Sequence, residues 1–146
     1  MNRHGYTDDC DGDTWSTIRW RGAVKKAIKG KRGQAFLREL LAALDELPEK
    51  FLVESKLENE DGGVCAIGAV CKRRGIKAPE WFNDEDVDPG EYRDALSEIL
   101  GIAPVLISEI AYENDEGNRD DESRFRHMRS WVQNCIKQDV STTQDL

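Results

Sequence analysis

The chain has 146 residues, 29 of them acidic and 21 basic, and its formal net charge at pH 7 is −8. It is long enough for about one domain, and it contains no apolar run near the roughly 20 residues that span a bilayer and no apolar core of a secretory signal. These features favour a globular cytoplasmic domain and argue against membrane insertion.

The first part of the chain predicts a polar lead-in followed by two helices. Residues 1–13 are polar and are expected to form a flexible lead-in. Apolar residues then recur at helical spacing over about 16–29, and glycines follow. A leucine-rich stripe predicts a second helix over about 33–47, which Pro48 ends because proline cannot continue a helix.

The rest of the chain predicts further helices and at most one small β element. A short extended piece and a Gly-Gly turn allow one short β-hairpin near 51–64. Helical patterns follow at about 64–74, 90–100, from Pro104 onward, and 121–137. We therefore expect a mainly α fold, a single-domain bundle of about five or six helices over 14–138, with a disordered tail at 139–146.

The four cysteines do not form a metal-binding pattern. They are scattered and include no Cys-x-x-Cys pair: Cys10, Cys65, Cys71 and Cys135. Structural zinc sites need closely paired ligands, and disulfides belong to oxidising compartments. The sequence therefore predicts reduced thiols, no metal site and no cofactor.

Charge is strongly segregated along the chain. No acidic residue lies between Thr14 and Arg38, a stretch that holds eight of the 21 basic residues and leaves 13 against 29 acidic residues elsewhere. Seven of the eight are candidate binding residues on the first helix and at its junction with the second: Arg19, Arg21, Lys25, Lys26, Lys29, Lys31 and Arg32. They could bind an acidic protein or the phosphates of a nucleic acid, or they could form a solvated or internally paired face.

An acid-rich part of the chain follows later. Fifteen acidic residues lie between Glu80 and Glu122, against only Arg93 and Arg119. A surface this acidic could occupy a basic groove on another protein, in the manner of nucleic-acid phosphates. The plainer interpretation is a well-solvated exterior.

Cys65 is the one candidate catalytic residue. It follows Gly62, Gly63 and Val64 and is expected at the start of the third helix, where the helix dipole lowers the pKa of a thiol. A cysteine nucleophile also needs a base, and the chain has only His4 and His127. The alternative interpretation is a small buried packing residue.

Two acidic or amide-rich segments invite site interpretations that the sequence does not favour. The run from Asp8 to Asp13 lacks the glycine and the final glutamate of an EF-hand loop. Asn114 and Asp115, at the end of the fifth helix, are expected to act as C-cap and turn residues. Common phosphate-loop, hydrolase and metalloprotease motifs are also missing.

Two segments together resemble small uncharacterised proteins of phages and prophages. Gly63-Val64-Cys65-Ala66-Ile67-Gly68-Ala69 is similar to their Cys-Ala-Leu-Gly-Ala signature, and Asn114-Asp115-Glu116-Gly117 is similar to their downstream Asn-Asp pair. The resemblance spans roughly residues 12–137. It implies a phage accessory protein that acts inside a bacterial host cell, and no activity comes with it.

The sequence as a whole favours an interaction protein over an enzyme. We expect a non-enzymatic phage accessory protein that binds a host protein or protein complex through its charge-segregated surfaces, with inhibition of a host defence system as one such role. One alternative is a nucleic-acid-binding protein that uses the basic first helix. The other is a cysteine-dependent hydrolase or transferase centred on Cys65. No membrane partner is expected, and the oligomeric state stays open.

Overall fold

Six α-helices make up most of the described chain, as the hydrophobic periodicity predicts. The computed structural model describes residues 3–5, 14–84 and 86–137, and within these ranges it contains no β-strand. The predicted fold class, a mainly α single-domain bundle, is confirmed. In chain order the helices are α1 (Thr14–Lys29), α2 (Lys31–Glu46), α3 (Ala66–Arg74), α4 (Pro89–Leu100), α5 (Pro104–Asp115) and α6 (Asp121–Cys135), with a 3-10 helix over Glu80–Asn83 before α4.

Helices α1 and α2 meet at Gly30 and pack against each other. A Cβ added to Gly33 would overlap the carbonyl oxygen of Ala27, so the two backbones approach as closely as they do only because residue 33 is glycine. Gln34, which is buried, joins this pair to the end of α6: its Nε2 donates to the carbonyl oxygens of Ile28 (2.7 Å) and Cys135 (2.9 Å).

The predicted β-hairpin near 51–64 is reduced to one isolated antiparallel bridge between Glu58 and Val64. The backbone N–H of Val53 donates to Val64 (3.0 Å), but the N–H of Leu52 donates to the carbonyl oxygen of Asp121 on α6 instead. Further backbone bonds lie within residues 51–65, from the N–H of Asn59 to Gly63 (2.8 Å) and from the N–H of Cys65 to Leu57 (3.2 Å), but they do not make a continuous strand pair. These bonds fix the segment against the first turn of α3.

Helix α3 is buried over its first two turns and presses closely on this segment. Cys65 is its N-cap, and Gly75 ends it in the left-handed region (φ +69°), which glycine adopts without strain. Gly68 allows the close contact, because a Cβ there would overlap the carbonyl oxygen of Leu57.

The core lies between α2 and α5, which each pack on several other helices. Helix α2 contacts α1, α3 and α6, and α5 contacts α1, α3, α4 and α6. Phe82 of the 3-10 helix is buried in the core, whereas the neighbouring Trp81 is 39% exposed. The side chains that are fully excluded from solvent include Leu37, Leu40, Leu44, Leu96, Leu106, Ile107, Ile110 and Met128.

Candidate functional site

The basic face of α1 is open to solvent. Val24 is buried and Ala27 and Ile28 pack partly against the core, so α1 turns its apolar side inward, as its helical pattern predicts. The predicted binding cations are all exposed, and we call them the basic face: Arg19, Arg21, Lys25, Lys26, Lys29, Lys31 and Arg32.

None of these seven cations forms an ion pair with any residue that the structure describes. The acids of α2 pair with other helices instead: Asp45 with Arg129 of α6, and Glu39 with Arg74 of α3. The acidic segment is spread over several elements. Helix α4 carries three of its acids and packs chiefly on α5, whereas α5 packs on α1 but pairs its Glu113 with His127 and its Asp115 with Arg3. A self-neutralised seam between the two charge regions is therefore not formed in the described part of the chain.

The structure adds a cation that sequence reasoning missed. The Nζ of Lys137 donates to the carbonyl oxygen of Lys29 (2.8 Å), and Arg38 Nη2 donates to the carbonyl oxygen of Lys137 (3.0 Å). Lys137, two residues after the end of α6, is thus held at the C-terminal end of α1. Because Lys137 is 108 positions from Lys29 in sequence, no local pattern could have revealed this contact.

An exposed apolar side chain sits within the basic face. Ile18 is 55% exposed, and it precedes Arg21 by three residues and Lys25 by seven, which places all three on one side of the helix. Apolar anchors ringed by charged groups are typical of protein-protein contact sites. Gly22 lies on the same side, and a Cβ added there would meet nothing within 4 Å.

Cys65 occupies the predicted position at the start of α3 but has no access to solvent. Its exposure is 0%, and its Sγ accepts a hydrogen bond from the backbone N–H of Gly68 (3.3 Å). The two histidines pair with glutamates: His127 with Glu113 (2.9 Å) and His4 with Glu116 (3.2 Å). A substrate could not reach this thiol in the structure, which favours the packing interpretation of Cys65.

The environment of Cys65 contains a buried arginine that sequence reasoning missed. Arg3 comes from the segment expected to be a flexible lead-in, yet it is only 4% exposed, as is its neighbour His4. Arg3 Nη1 donates to the Sγ of Cys65 (3.2 Å) and to the hydroxyl of Tyr92 (3.0 Å). Its Nε and Nη2 donate to Oδ2 (2.7 Å) and Oδ1 (2.8 Å) of Asp115. The remainder of the lead-in, including the Asp-rich run, lies outside the described residues, as does the tail.

Asn114 and Asp115 are interior hydrogen-bonding residues, and the expectation of a C-cap and turn is wrong. The C-cap of α5 is Glu116, and Asn114 is 1% exposed. Asn114 Oδ1 accepts from the N–H of Ala66 (3.1 Å), and its Nδ2 donates to the carbonyl oxygen of Val53 (3.0 Å) and to Asp115 (2.8 Å). One side chain therefore joins α5 to α3 and to the 51–64 segment.

The charges of this cluster support one another. Burial opposes ionisation of Asp115, but the charge and hydrogen bonds of Arg3 outweigh it and hold the pKa of Asp115 below its usual value. Burial likewise disfavours the charged form of Arg3, but its acidic neighbours raise the pKa of Arg3 well above its usual value. Burial raises the pKa of Tyr92 as well, so its hydroxyl stays neutral. Burial also raises the pKa of the Cys71 and Cys135 thiols to about 11.

We expect the free energy of unfolding to fall in acid because of Asp115. An aspartate in the unfolded chain has a pKa of about 3.9, and the folded-state value is lower, so stabilisation is present above about pH 5 and is lost as pH falls through the folded-state pKa. Urea titrations from about pH 7 to about pH 3 should show a steeper loss in the wild type than in Asp115→Asn, which has no carboxyl at this position. Equal slopes in the two proteins would contradict this assignment.

Other features of the described residues offer no further chemistry. Among them, no group of three or more His, Cys, Asp or Glu side chains could hold a metal ion. An open depression of about 470 Å³ lies away from Cys65, lined by Glu49, Lys50, Phe51, Glu122, Phe125 and Arg126. No single helix in the described ranges is long and apolar enough to cross a membrane; α4 and α5 pass that test only together, across a bend of 111°.

Comparison with known proteins leaves the resemblance seen in the sequence untested. No protein-family model, no curated protein sequence and no solved structure matches this chain. The phage or prophage origin therefore stays a prediction.

Proposed function

We propose that the protein is a non-enzymatic binding protein that attaches through the basic face of α1 to an acidic surface of another macromolecule, foremost a protein. The observation that supports this is the basic face itself: seven exposed cations, none of them ion-paired among the described residues. On this chain of net charge −8, other exposed arginines do pair, as Arg129 does with Asp45. Exposed lysines such as Lys56 and Lys77 also form no ion pair with the described residues, but the basic face gathers seven such cations on one helix and its junction with the next.

Local helix electrostatics point the same way. Lys31 and Arg32 stand at the N-terminus of α2, where the helix dipole is already positive, and the first turn of α2 contains no acidic residue. This placement costs stability and raises the positive potential at the α1–α2 junction. Cations at a helix N-terminus oppose the helix dipole, and residues that lower stability in this way tend to serve binding rather than folding.

A protein partner fits the surface better than a nucleic acid. Ile18 adds an exposed apolar anchor among the cations, which a protein surface can bury and a phosphate backbone cannot. The acids Asp84, Asp86, Asp88 and Glu91 are exposed and form no ion pair among the described residues, and they would repel a long polyanion. We therefore rank nucleic-acid binding second, and the thiol enzyme centred on Cys65 last because that thiol is buried.

The resemblance to phage-encoded proteins adds a cellular location and a source for the partner to the proposal. A phage accessory protein acts in the cytoplasm of its bacterial host, so its partner would be a host protein or protein complex. Inhibition of a host defence system is one function that such binding would serve. This step rests on the resemblance and not on the geometry.

The proposal is tested by capture from nuclease-treated bacterial lysate in about 50 mM and about 500 mM salt. The wild type should retain a partner in low salt and release it in high salt. A variant with Arg19, Arg21, Lys25, Lys26 and Lys29 changed to glutamine should bind that purified partner about 10- to 100-fold more weakly, because long-range attraction is lost. Its free energy of unfolding should fall by no more than about 2 kcal/mol, since these side chains are exposed and only Lys26 and Lys29, in the last turn of α1, interact favourably with the helix dipole.

The control for net charge compares two variants that each lose three positive charges. Changing Arg21, Lys25 and Lys29 to glutamine on the basic face should weaken binding. Changing the exposed lysines outside that face to glutamine should leave affinity nearly unchanged: Lys56, Lys72 and Lys77. Ile18→Ser should weaken binding, whereas Ile99→Ser, which is also exposed, should not. If the wild type retains nothing in low salt, or if the basic-face variant and the control variant with the same loss of charge bind the partner equally well, the proposal fails. If binding disappears on nuclease treatment and gel shifts with RNA or DNA depend on the same five residues, the nucleic-acid alternative replaces it.

A further inference from the structure

We propose that Asp115, Tyr92 and Cys65 form a guanidinium-binding pocket, which the chain's own Arg3 occupies in this structure and which an arginine or alkylguanidinium from another molecule can occupy in its place. This pocket is separate from the basic face. Its ligand is a cation, whereas the ligand of the basic face is an anionic surface.

Each of the three guanidinium nitrogens of Arg3 donates a hydrogen bond to an acceptor of the pocket. Two parallel hydrogen bonds, from Nε and Nη2, reach the two carboxylate oxygens of Asp115 at 2.7 and 2.8 Å. The third nitrogen, Nη1, donates to the Tyr92 hydroxyl and to the Cys65 sulfur. A planar fork with this pattern is specific to guanidinium, because an ammonium has no second nitrogen to pair with the second carboxylate oxygen.

The walls of the pocket are fixed by bonds that do not involve Arg3. Asp115 Oδ1 accepts from the backbone N–H of Ser55 (2.9 Å) and from Asn114 Nδ2 (2.8 Å). The Sγ of Cys65 accepts from the N–H of Gly68 (3.3 Å). Ser55 adopts a positive φ of 65°, a conformation that costs a non-glycine residue energy and that here aims its N–H at the carboxylate. The acceptors are therefore held in position by the bundle itself.

The occupant, by contrast, comes from a segment outside the six helices. Arg3 belongs to the described residues 3–5, which precede the first helix, and it lies 112 positions before Asp115 in sequence. With Arg3 in place the Asp115 side chain is only 7% exposed. Withdrawal of Arg3 would admit water but leave a carboxylate that Ser55 and Asn114 still hold in position, and such a preorganised acceptor should bind a guanidinium that fits.

The test uses the full-length Arg3→Ala variant and methylguanidinium as probe, in thermal unfolding. We expect a saturable rise in Tm at millimolar probe, with half-saturation at about 1–10 mM, as befits a ligand of five heavy atoms. Methylammonium should raise Tm at least about tenfold less effectively. The double variant Arg3→Ala/Asp115→Asn should lose the response to methylguanidinium. A response that is linear, equal for both cations, or retained in the double variant overturns the proposal.

Two further arms cover the remaining cases. If Arg3→Ala does not fold, it is refolded with each probe, and recovery of helical circular dichroism with methylguanidinium but not with methylammonium supports the pocket, while recovery with neither overturns it. The source of the guanidinium is separated with agmatine and with the peptide Met-Asn-Arg-His-Gly, using Met-Asn-Lys-His-Gly as control. Tighter binding of the arginine peptide assigns the pocket to a polypeptide ligand, and tighter binding of agmatine assigns it to a small molecule.

Discussion

Replacing Asp115 by asparagine is expected to lower the free energy of unfolding by about 3–5 kcal/mol at neutral pH. The substitution keeps the size of the side chain but removes the charge opposite Arg3, whose guanidinium is buried and bound to both carboxylate oxygens. An amide would also turn a donor toward a group that has only donors. The buried cation would then lack an anionic partner, and either it stays buried at that cost or the 3–5 segment leaves the bundle. Urea unfolding at pH 7 measures the difference.

A matched control exists in the same chain. Asp45 also accepts two hydrogen bonds from one arginine, Arg129, at 2.7 and 3.2 Å, but its side chain is 47% exposed. Asp45→Asn should therefore cost no more than about 1 kcal/mol, because water solvates both partners of an exposed pair. Similar losses in the two variants would show that burial does not set the energy of the Arg3–Asp115 pair. Asp115→Asn should also expose Cys65 to alkylating reagents, since Arg3 would no longer be held against its sulfur.

Helices could be predicted from the sequence because their signals are local. Hydrophobic spacing places α2 within two residues of its observed ends, and Pro104 stands at the first turn of α5 as expected. Gly75 and Gly101 both end helices in the left-handed region, at φ +69° and +75°. Each of these signals lies within one or two turns of the helix end that it marks. Local reasoning was therefore sufficient for the fold class.

The predicted β-hairpin shows where local reasoning fails. A turn signal and alternating apolar residues are necessary for a hairpin, but the backbone groups also need a strand partner. Leu52 finds its partner in Asp121 of α6 instead, 69 positions away. Nothing in the 51–64 segment itself records the position of α6, so the tertiary contact decides its conformation.

The buried cluster around Cys65 was missed for the same reason. A short polar segment before a helix is normally solvated, and arginine is rarely buried unless it is paired. The partner of Arg3 is Asp115, and an asparagine–aspartate pair at the end of a helix normally acts as a cap. Both patterns hold on average, but here the guanidinium of Arg3 and the carboxylate of Asp115 pair with each other in the interior.

The basic face was the part of the candidate site that sequence could predict. A helix of known period places its apolar residues inward, so the cations of α1 had to point outward. Whether acidic side chains from other helices pair with these cations depends on the tertiary fold, which a local pattern does not reveal. In the described chain the acids of α2 pair with Arg73, Arg74 and Arg129, and the cations of α1 form no ion pair. The binding proposal therefore combines a local pattern with a long-range outcome.

Gly68→Ala is expected to destabilise the protein by roughly 3–5 kcal/mol, although alanine is the better helix former. The added Cβ would overlap the carbonyl oxygen of Leu57 and would lie 2.9 Å from its carbonyl carbon and 3.2 Å from the Cβ of Val64. Two of these atoms belong to the backbone, which cannot move aside as a flexible side chain would. Helix α3 would have to withdraw from the 51–64 segment, and this would stretch the hydrogen bond that the N–H of Ala66 donates to Asn114 Oδ1.

Gly22→Ala separates this steric effect from helix propensity. Gly22 also lies within a helix, but a Cβ there meets nothing within 4 Å, so alanine should stabilise α1 by about 0.5–1 kcal/mol. The two variants share the gain in propensity, and the difference between them measures the close approach of α3 to Leu57. Urea unfolding of both proteins gives that difference directly. If Gly68→Ala is as stable as the wild type, α3 does not press on Leu57 in solution. The position of Cys65, and with it the guanidinium pocket that starts at the N-terminus of α3, would then be in doubt as well.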